Sequence, residues 1–323
     1  MRFFFAILSI CYYTNSLSAS VSSYEVIPKT TDAEIGSAFN SPHVIYVDPT
    51  IVVENATKAA NDRHELLVFL SGTDGTAEGA KAFCELAAEL GDHVINLAYP
   101  NDIAASICAG DPNPKAFEEF RMAVIAGGQT KHITIAKADC IENRLAKLLI
   151  HLRDKKPKEN WGQFLNSDNT VKWSAIAVSG QSQGGGHAAL IGIKHRVARV
   201  ICTGAPKDYS KKHDAPAAWY SLESATPKGC FFAFNHTQDP KACTPAQLIA
   251  NLRALGLTGP LVDVASAKPP FQNSHILMTT FPAVTIDGPN GKGTKQAHNA
   301  AISSANASRW EKVWTYMLTE KTP

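Results

Sequence analysis

Ser182 is the residue whose neighbours most clearly indicate chemistry. It is the centre of Gly-Gln-Ser-Gln-Gly at residues 180–184, which follows a short apolar run and precedes an alanine-rich segment typical of a helix. A sharp turn from strand to helix strains its central residue, tolerates only small neighbours and lifts the hydroxyl above the sheet edge. The pattern therefore predicts a nucleophile, and a glycine-rich surface turn without function is the alternative.

A serine hydroxyl is a poor nucleophile at neutral pH, so it needs a histidine base and a carboxylate that orients the base. Asp239 follows a predicted strand at 230–235, and His298 lies between the last predicted strand and the last predicted helix. Functional groups of α/β sheets gather at the carboxyl ends of the strands. We therefore expect Asp239 and His298 to meet Ser182 there, in the chain order nucleophile, acid, base.

Other histidines and aspartates compete for these roles. His275 stands at the start of a strand and hence at the wrong edge of the sheet, and His236 is expected to shape the loop of the acid. His187 is expected to be a satisfied buried histidine. Asp263 and Asp287 lie in C-terminal loops, but neither directly follows the strand at 230–235.

Acyl transfer also needs rigid donors for the negative charge that develops on the carbonyl oxygen. The backbone amide of Gln183 would supply one donor, because it lies at the positive end of the predicted helix. The second donor is expected from the loop at 71–76, where glycines let the backbone approach a substrate, and the Thr73 amide is our candidate.

The elements that must position these residues alternate along the chain. Strands and helices that alternate in this way predict a parallel sheet with helices on both faces, an α/β fold. We expect one domain over 20–323, with a small insertion at 101–139 and a proline-containing loop at 257–275. Strands are predicted at 64–70, 93–99, 174–179, 197–203, 230–235 and 276–284, and helices at 77–90, 140–152, 184–195, 245–255 and 305–318.

Composition excludes some classes of function. The 323 residues are 45% hydrophobic and 19% charged, which is ordinary for a globular chain, and the net charge of +2 is too small for a nucleic-acid binder. The apolar stretch at 3–13 after Arg2 predicts a signal peptide over 1–19, hence a secreted or periplasmic protein. No later segment is apolar enough to predict an integral membrane segment.

Removal of the signal peptide would leave six cysteines, at 84, 108, 140, 202, 230 and 243. An even number in an exported chain predicts disulfide bonds, although six cysteines allow fifteen pairings. Cys230 with Cys243 and Cys108 with Cys140 are the expected pairs, and the other two cysteines could be buried thiols. No Cys-x-x-Cys or His-x-x-x-His spacing occurs, so no metal site is predicted.

Taken together, the elbow at 180–184, the loop at 71–75, Asp239 and His298 resemble the α/β-hydrolase superfamily over residues 40–320. The segments at 67–73, 96–100 and 180–189 look like a branch of exported bacterial hydrolases. Gln181 and Gln183 stand where many lipases and cutinases have other residues, which weakens any transfer of their specificity.

The resemblance implies a serine hydrolase without a cofactor, most simply a carboxylesterase acting on a small-molecule or lipid-like ester through an acyl-enzyme. A lipase, polyester depolymerase or acyltransferase is an alternative, and a catalytically silent binding protein is another. Five residues are expected to shape the substrate pocket, together with the insertion and the loop at 257–275: Phe117, Phe120, Phe271 and the prolines at 269 and 270.

Overall fold

Nine strands form one mixed sheet at the centre of the computed structural model, which describes residues 21–36, 39–48 and 65–321. In chain order the strands are β1 (Ser22–Val26), β2 (His43–Val47), β3 (Leu66–Leu70), β4 (His93–Leu97), β5 (Gly128–Gln129), β6 (Thr134–Ile135), β7 (Ile176–Gln181), β8 (Arg199–Thr203), β9 (Tyr209–Ser210), β10 (Ala215–Pro216), β11 (Phe231–His236), β12 (Leu261–Asp263) and β13 (Ile276–Thr279). The helices are α1 (Pro28–Thr31), α2 (Lys81–Glu89), α3 (Ala116–Ala126), α4 (Ile141–Lys155), α5 (Gln183–Lys194), α6 (Pro245–Ala254), α7 (Thr294–Asn299) and α8 (Ala307–Thr319).

The order of strands across the sheet is β1-β2-β4-β3-β7-β8-β11-β13-β12. β2 is antiparallel to both of its neighbours, and all pairings from β4 to β12 are parallel. β5 with β6 and β9 with β10 form two small ribbons outside this sheet. The carboxyl ends of the parallel strands therefore share one edge, which collects the loops that follow them.

Helices cover both faces of the sheet. In β3, Leu66, Val68 and Leu70 belong to one core with α3, α4, α5 and α6. Leu67 and Phe69 belong to the opposite core with α2 and α8. Both faces are buried, which is why β3 is a continuous apolar run instead of an alternating pattern. The predicted α/β fold is confirmed.

Most of the long elements match their predictions within a few residues. The loop predicted at 257–275 contains β12, which is short and lies at the edge of the sheet beside β13. The strand predicted at 276–284 is also too long, since β13 ends at Thr279 and a cis peptide bond joins Phe281 to Pro282. The predicted signal peptide at 1–19 lies outside the described residues.

The disulfide prediction is wrong, because all six cysteines are buried free thiols. The Cys108 thiol donates to the carbonyl of Ala116, and the Cys140 sulfur accepts from the Asn143 amide at the start of α4. Burial raises the pKa of Cys243 to about 11 and that of Cys108 to about 12. The six thiols are not joined to one another, and each is buried like a small apolar group.

The aromatic side chains expected at the substrate pocket instead belong to the core. Phe117 and Phe120 lie on α3 and pack inside the larger core, and Phe271 packs against Tyr316 of α8. All three phenylalanines are buried. Their function is structural, because an apolar ring gains more free energy in a closed core than in an open loop.

Candidate active site

Ser182 is the single residue that connects β7 to α5, and it has φ of 55° and ψ of −116°. This left-handed geometry is unusual for a residue with a side chain, and the backbone around it leaves little room. A Cβ on Gly180 would overlap the backbone of Gly184, and one on Gly184 would overlap the carbonyl of Leu70. The elbow therefore requires glycine at both positions, and it presents Ser182 at the carboxyl edge of the sheet.

Three side chains from distant parts of the chain form one hydrogen-bonded series at this edge. His298 Nε2 lies 2.7 Å from Ser182 Oγ, and His298 Nδ1 lies 2.7 Å from Asp239 Oδ2. An ionised carboxylate can only accept, so Nδ1 carries the hydrogen and Nε2 is left to accept from the serine hydroxyl. The arrangement is that of a nucleophile, its base and the acid that orients the base.

Asp239 follows β11 and is completely buried. Its Oδ2 also lies 2.7 Å from Lys207 Nζ, and its Oδ1 accepts from the Lys241 amide at 2.9 Å. Burial on its own would raise the pKa of Asp239, but the hydrogen bond from His298 and the charge of Lys207 outweigh it and lower the pKa. The carboxylate therefore stays ionised beside the histidine.

In the described ranges, the backbone amides of Thr73 and Gln183 donate no hydrogen bond. Gln183 is the first residue of α5, where an amide has no partner within the helix. Its side chain holds the surrounding loops: Oε1 accepts from the Ala105 amide at 2.8 Å and the Thr73 hydroxyl at 3.1 Å, and Nε2 donates to the Ile103 carbonyl. Thr73 and Gln183 both line the small cavity that Ser182 borders.

Behind the elbow, Arg121 of α3 forms a buried ion pair with Asp208. Arg121 Nε and Nη2 lie 2.5 and 2.6 Å from the two carboxylate oxygens, and Nη1 donates to the Gln183 carbonyl at 3.0 Å. Asp208 also accepts from the Trp219 indole. A Cβ on Gly186 would overlap the guanidinium, so the third glycine of the run makes room for Arg121.

Two cavities border Ser182, and their walls share Thr73, Ala104, Ser106 and Lys241. The larger, about 450 Å³, includes His298 in its wall, together with Gln181, Thr294 and Lys295. The smaller, about 60 Å³, lies against Lys207 and Asp208. A third cavity of about 490 Å³ adjoins the larger one, since both are lined by Gln181, Lys295 and Asn299.

The competing histidines lie elsewhere. His275 stacks on Phe232 and bonds to the Phe231 carbonyl, at the amino edge of the sheet. His236 Nδ1 accepts from the Gln238 amide, so it shapes the loop of Asp239 as predicted. His187 is buried as predicted, but it is not satisfied: neither ring nitrogen has a hydrogen-bond partner in the described ranges, and burial lowers its pKa.

Sequence reasoning missed Lys207, Asp208 and Arg121. Lys207 and Asp208 follow β8 by a few residues, and the rule that functional groups collect after parallel strands could have indicated them. Arg121 carries no comparable signal. It lies within an apolar stretch of α3 and reaches the elbow only through the tertiary fold.

In the part of the chain that the structure describes, no helix has the length and apolar character needed to cross a bilayer. Within the same ranges, no three His, Cys, Asp or Glu side chains are grouped to bind a metal ion. The fold is an α/β fold whose topology is consistent with that of an α/β-hydrolase. Neither a protein-family model nor a curated protein matches the chain.

Proposed function

We propose that this protein is a serine hydrolase of the α/β-hydrolase superfamily, specifically a carboxylesterase. The observation that carries the proposal is the unbroken series from Ser182 Oγ through His298 to Asp239, with both distances at 2.7 Å. The left-handed geometry of Ser182 supports it as well, because such strain is kept where function needs it. The apolar segment at 3–13 supports export of the protein.

In the proposed reaction, His298 Nε2 accepts the proton of Ser182 while Oγ attacks the carbonyl carbon of an ester. The ester carbon–oxygen bond then breaks, and the departing alkoxide takes the proton from the imidazolium. A water molecule repeats the sequence on the acyl-enzyme, gives its proton to His298, and releases the acid and the free serine. Asp239 keeps its charge throughout and stabilises the imidazolium.

The carbonyl oxygen becomes negative when Oγ attacks, and the amides of Gln183 and Thr73 are the proposed donors to it. Each donor of this kind is worth about 10² to 10³ in rate. Their lack of other partners in the described ranges supports this role, since a donor already engaged could not serve the transition state. The anchoring of Gln183 by Ala105 and Ile103 would keep its amide in place.

A fluorophosphonate probe and p-nitrophenyl acetate test the proposal on the full chain. Wild type should be labelled on Ser182 and should hydrolyse the ester. Ser182→Ala should lose labelling and about 10⁴ to 10⁶ of the rate. Ser221→Ala, at an exposed serine outside the cavities, is the matched control and should behave as wild type. Unlabelled wild type without turnover would instead indicate a silent binding protein.

A further inference from the structure

The two cavities beside Ser182 differ both in size and in their relation to the base. His298 borders the cavity of about 450 Å³, whereas the cavity of about 60 Å³ borders Ser182 without touching His298. Of these two cavities, Gln183 lines the small one, whereas Thr73 lines both. A substrate that spans Ser182 must therefore place one of its halves in each.

The proposed reaction decides which half goes where, and this inference rests on that proposed function. His298 must return its proton to the departing alcohol, so the alcohol lies on the side of His298. The acyl group then points away, into the small cavity. We infer that the substrate is an ester between a short acyl group, such as acetyl, and a larger alcohol rich in hydroxyl groups, such as an O-acetylated oligosaccharide.

The wall of the small cavity limits the acyl group. Its apolar lining residues are Ala104, Ala105 and Ala242. It is also lined by Lys207, Asp208 and Arg121. These three side chains are buried and paired, so they are fixed in place. A longer alkyl chain would have to displace or cover the ion pairs, and burial of charge without its partners is costly. An acetyl group needs less of this volume of about 60 Å³ than a longer acyl chain does.

The wall of the cavity of about 450 Å³ would favour an alcohol with many hydroxyl groups. Most of its lining residues have hydrogen-bonding side chains. The adjoining cavity of about 490 Å³ shares Gln181 and Asn299 with it. Such donors and acceptors match the hydroxyl groups of a sugar and would be left unpaired by an alkyl alcohol. Polar lining residues of the larger cavity include Gln181, Asn290, Thr294, Lys295 and Asn299.

The surface around the site does not suit an aggregated lipid. In the described ranges the exposed large hydrophobic side chains are Ile27, Ile107 and Leu261. Of these, Ile107 alone adjoins a residue that lines the cavities, Ser106. Association with a lipid surface needs a contiguous apolar patch, and a single isoleucine does not make one.

The first experiment varies the two halves of the substrate separately on the wild-type protein. With p-nitrophenol as the fixed alcohol, kcat/KM should fall at least tenfold from acetyl to octanoyl. With acetyl as the fixed acid, kcat/KM should be higher for an O-acetylated xylo-oligosaccharide than for ethyl acetate. Fluorophosphonate labelling of Ser182 is measured on the same preparation.

One variant tests the small cavity, and another tests the larger cavities. Ala105→Val narrows the small cavity and should shift the preference further from butyryl towards acetyl. Lys295→Ala removes a group shared by the two larger cavities, and it should raise KM for the acetylated oligosaccharide by more than it raises KM for p-nitrophenyl acetate. Lys292→Ala, an exposed lysine that lines none of these cavities, is the matched control and should change neither.

The outcomes separate the inference from the proposed function. Labelled protein that prefers octanoyl to acetyl esters, or ethyl acetate to the oligosaccharide, overturns the inference and leaves the serine hydrolase intact. Labelled protein that hydrolyses no acetyl ester overturns it too. Protein that is neither labelled nor active on any ester overturns both.

Discussion

Lys207 and Asp239 form a buried ion pair directly behind the candidate base. Lys207 Nζ and His298 Nδ1 each lie 2.7 Å from the same oxygen, Asp239 Oδ2. The side chains of Lys207 and Asp239 are only 5% and 1% exposed, so water screens their attraction little. The ammonium therefore offsets part of the negative charge that His298 would otherwise meet.

Asp239 should make stability depend on acid. Burial raises the pKa of Asp239, but the hydrogen bond from His298 and the charge of Lys207 lower it by more. The pKa of Asp239 in the folded protein therefore lies below its pKa in the unfolded chain. Its contribution is therefore complete above the unfolded pKa of about 3.9 and is lost as pH falls through the folded value. In urea unfolding, the advantage of wild type over Asp239→Asn should shrink from pH 7 to pH 3. A constant difference would contradict this.

The elbow should not tolerate a methyl group at Gly184. A Cβ there would overlap the Leu70 carbonyl, so Gly184→Ala must push α5 away from β3. We expect a loss of about 1–3 kcal/mol in the free energy of unfolding, together with most of the esterase activity. Gly110→Ala is the control, because a Cβ at Gly110 meets nothing within 4 Å. Urea unfolding and p-nitrophenyl acetate turnover measure the two effects.

Loss of the Gln183 side chain should lower kcat/KM by more than loss of the Thr73 hydroxyl, which donates to it. Gln183→Ala keeps the backbone amide but loses the bonds to Ala105, Thr73 and Ile103, so the loops beside Ser182 loosen. We expect kcat/KM to fall roughly tenfold, less than the about 10² to 10³ that removal of an oxyanion donor costs. Thr73→Val loses a single bond and should have a smaller effect. Equal losses would contradict the anchoring role.

The ion pair between Asp208 and Arg121 should be essential to the fold. Asp208→Ala leaves the guanidinium buried without its carboxylate, which costs about 3–5 kcal/mol in the free energy of unfolding. Asp154→Ala breaks an exposed pair with Arg153 and is the matched control, with no measurable change expected. Chemical denaturation of both variants measures the effect, and similar midpoints would contradict it.

The sequence predicts the sheet well because its strongest signals are local. The apolar run of β3 and the glycines beside Ser182 reflect constraints that act within a few residues. Chain order and position after strands were sufficient to choose Asp239 and His298, whose side chains lie in one hydrogen-bonded series with the serine. β12 escaped prediction because three residues at a sheet edge carry too little periodicity.

The surroundings of the site could not be predicted, because they depend on contacts between distant segments. Arg121 and Asp208 are far apart in the chain, and nothing in either local pattern specifies the other. The sequence pattern predicts that the aromatic side chains of α3 line the pocket, yet the fold turns them into the core. The cysteine count favoured disulfides, but the burial of each thiol in separate packing decided against them.

The attachment of the insertion to the elbow bears on how the protein meets its substrate. Arg121 fastens α3 to the Gln183 carbonyl and to Asp208, so this segment cannot swing aside without exposing a buried charge. We therefore expect α3 to stay in place at an oil–water boundary. The velocity of the protein with a sparingly soluble ester such as tributyrin should rise smoothly with concentration and continue without a jump where the ester begins to form droplets.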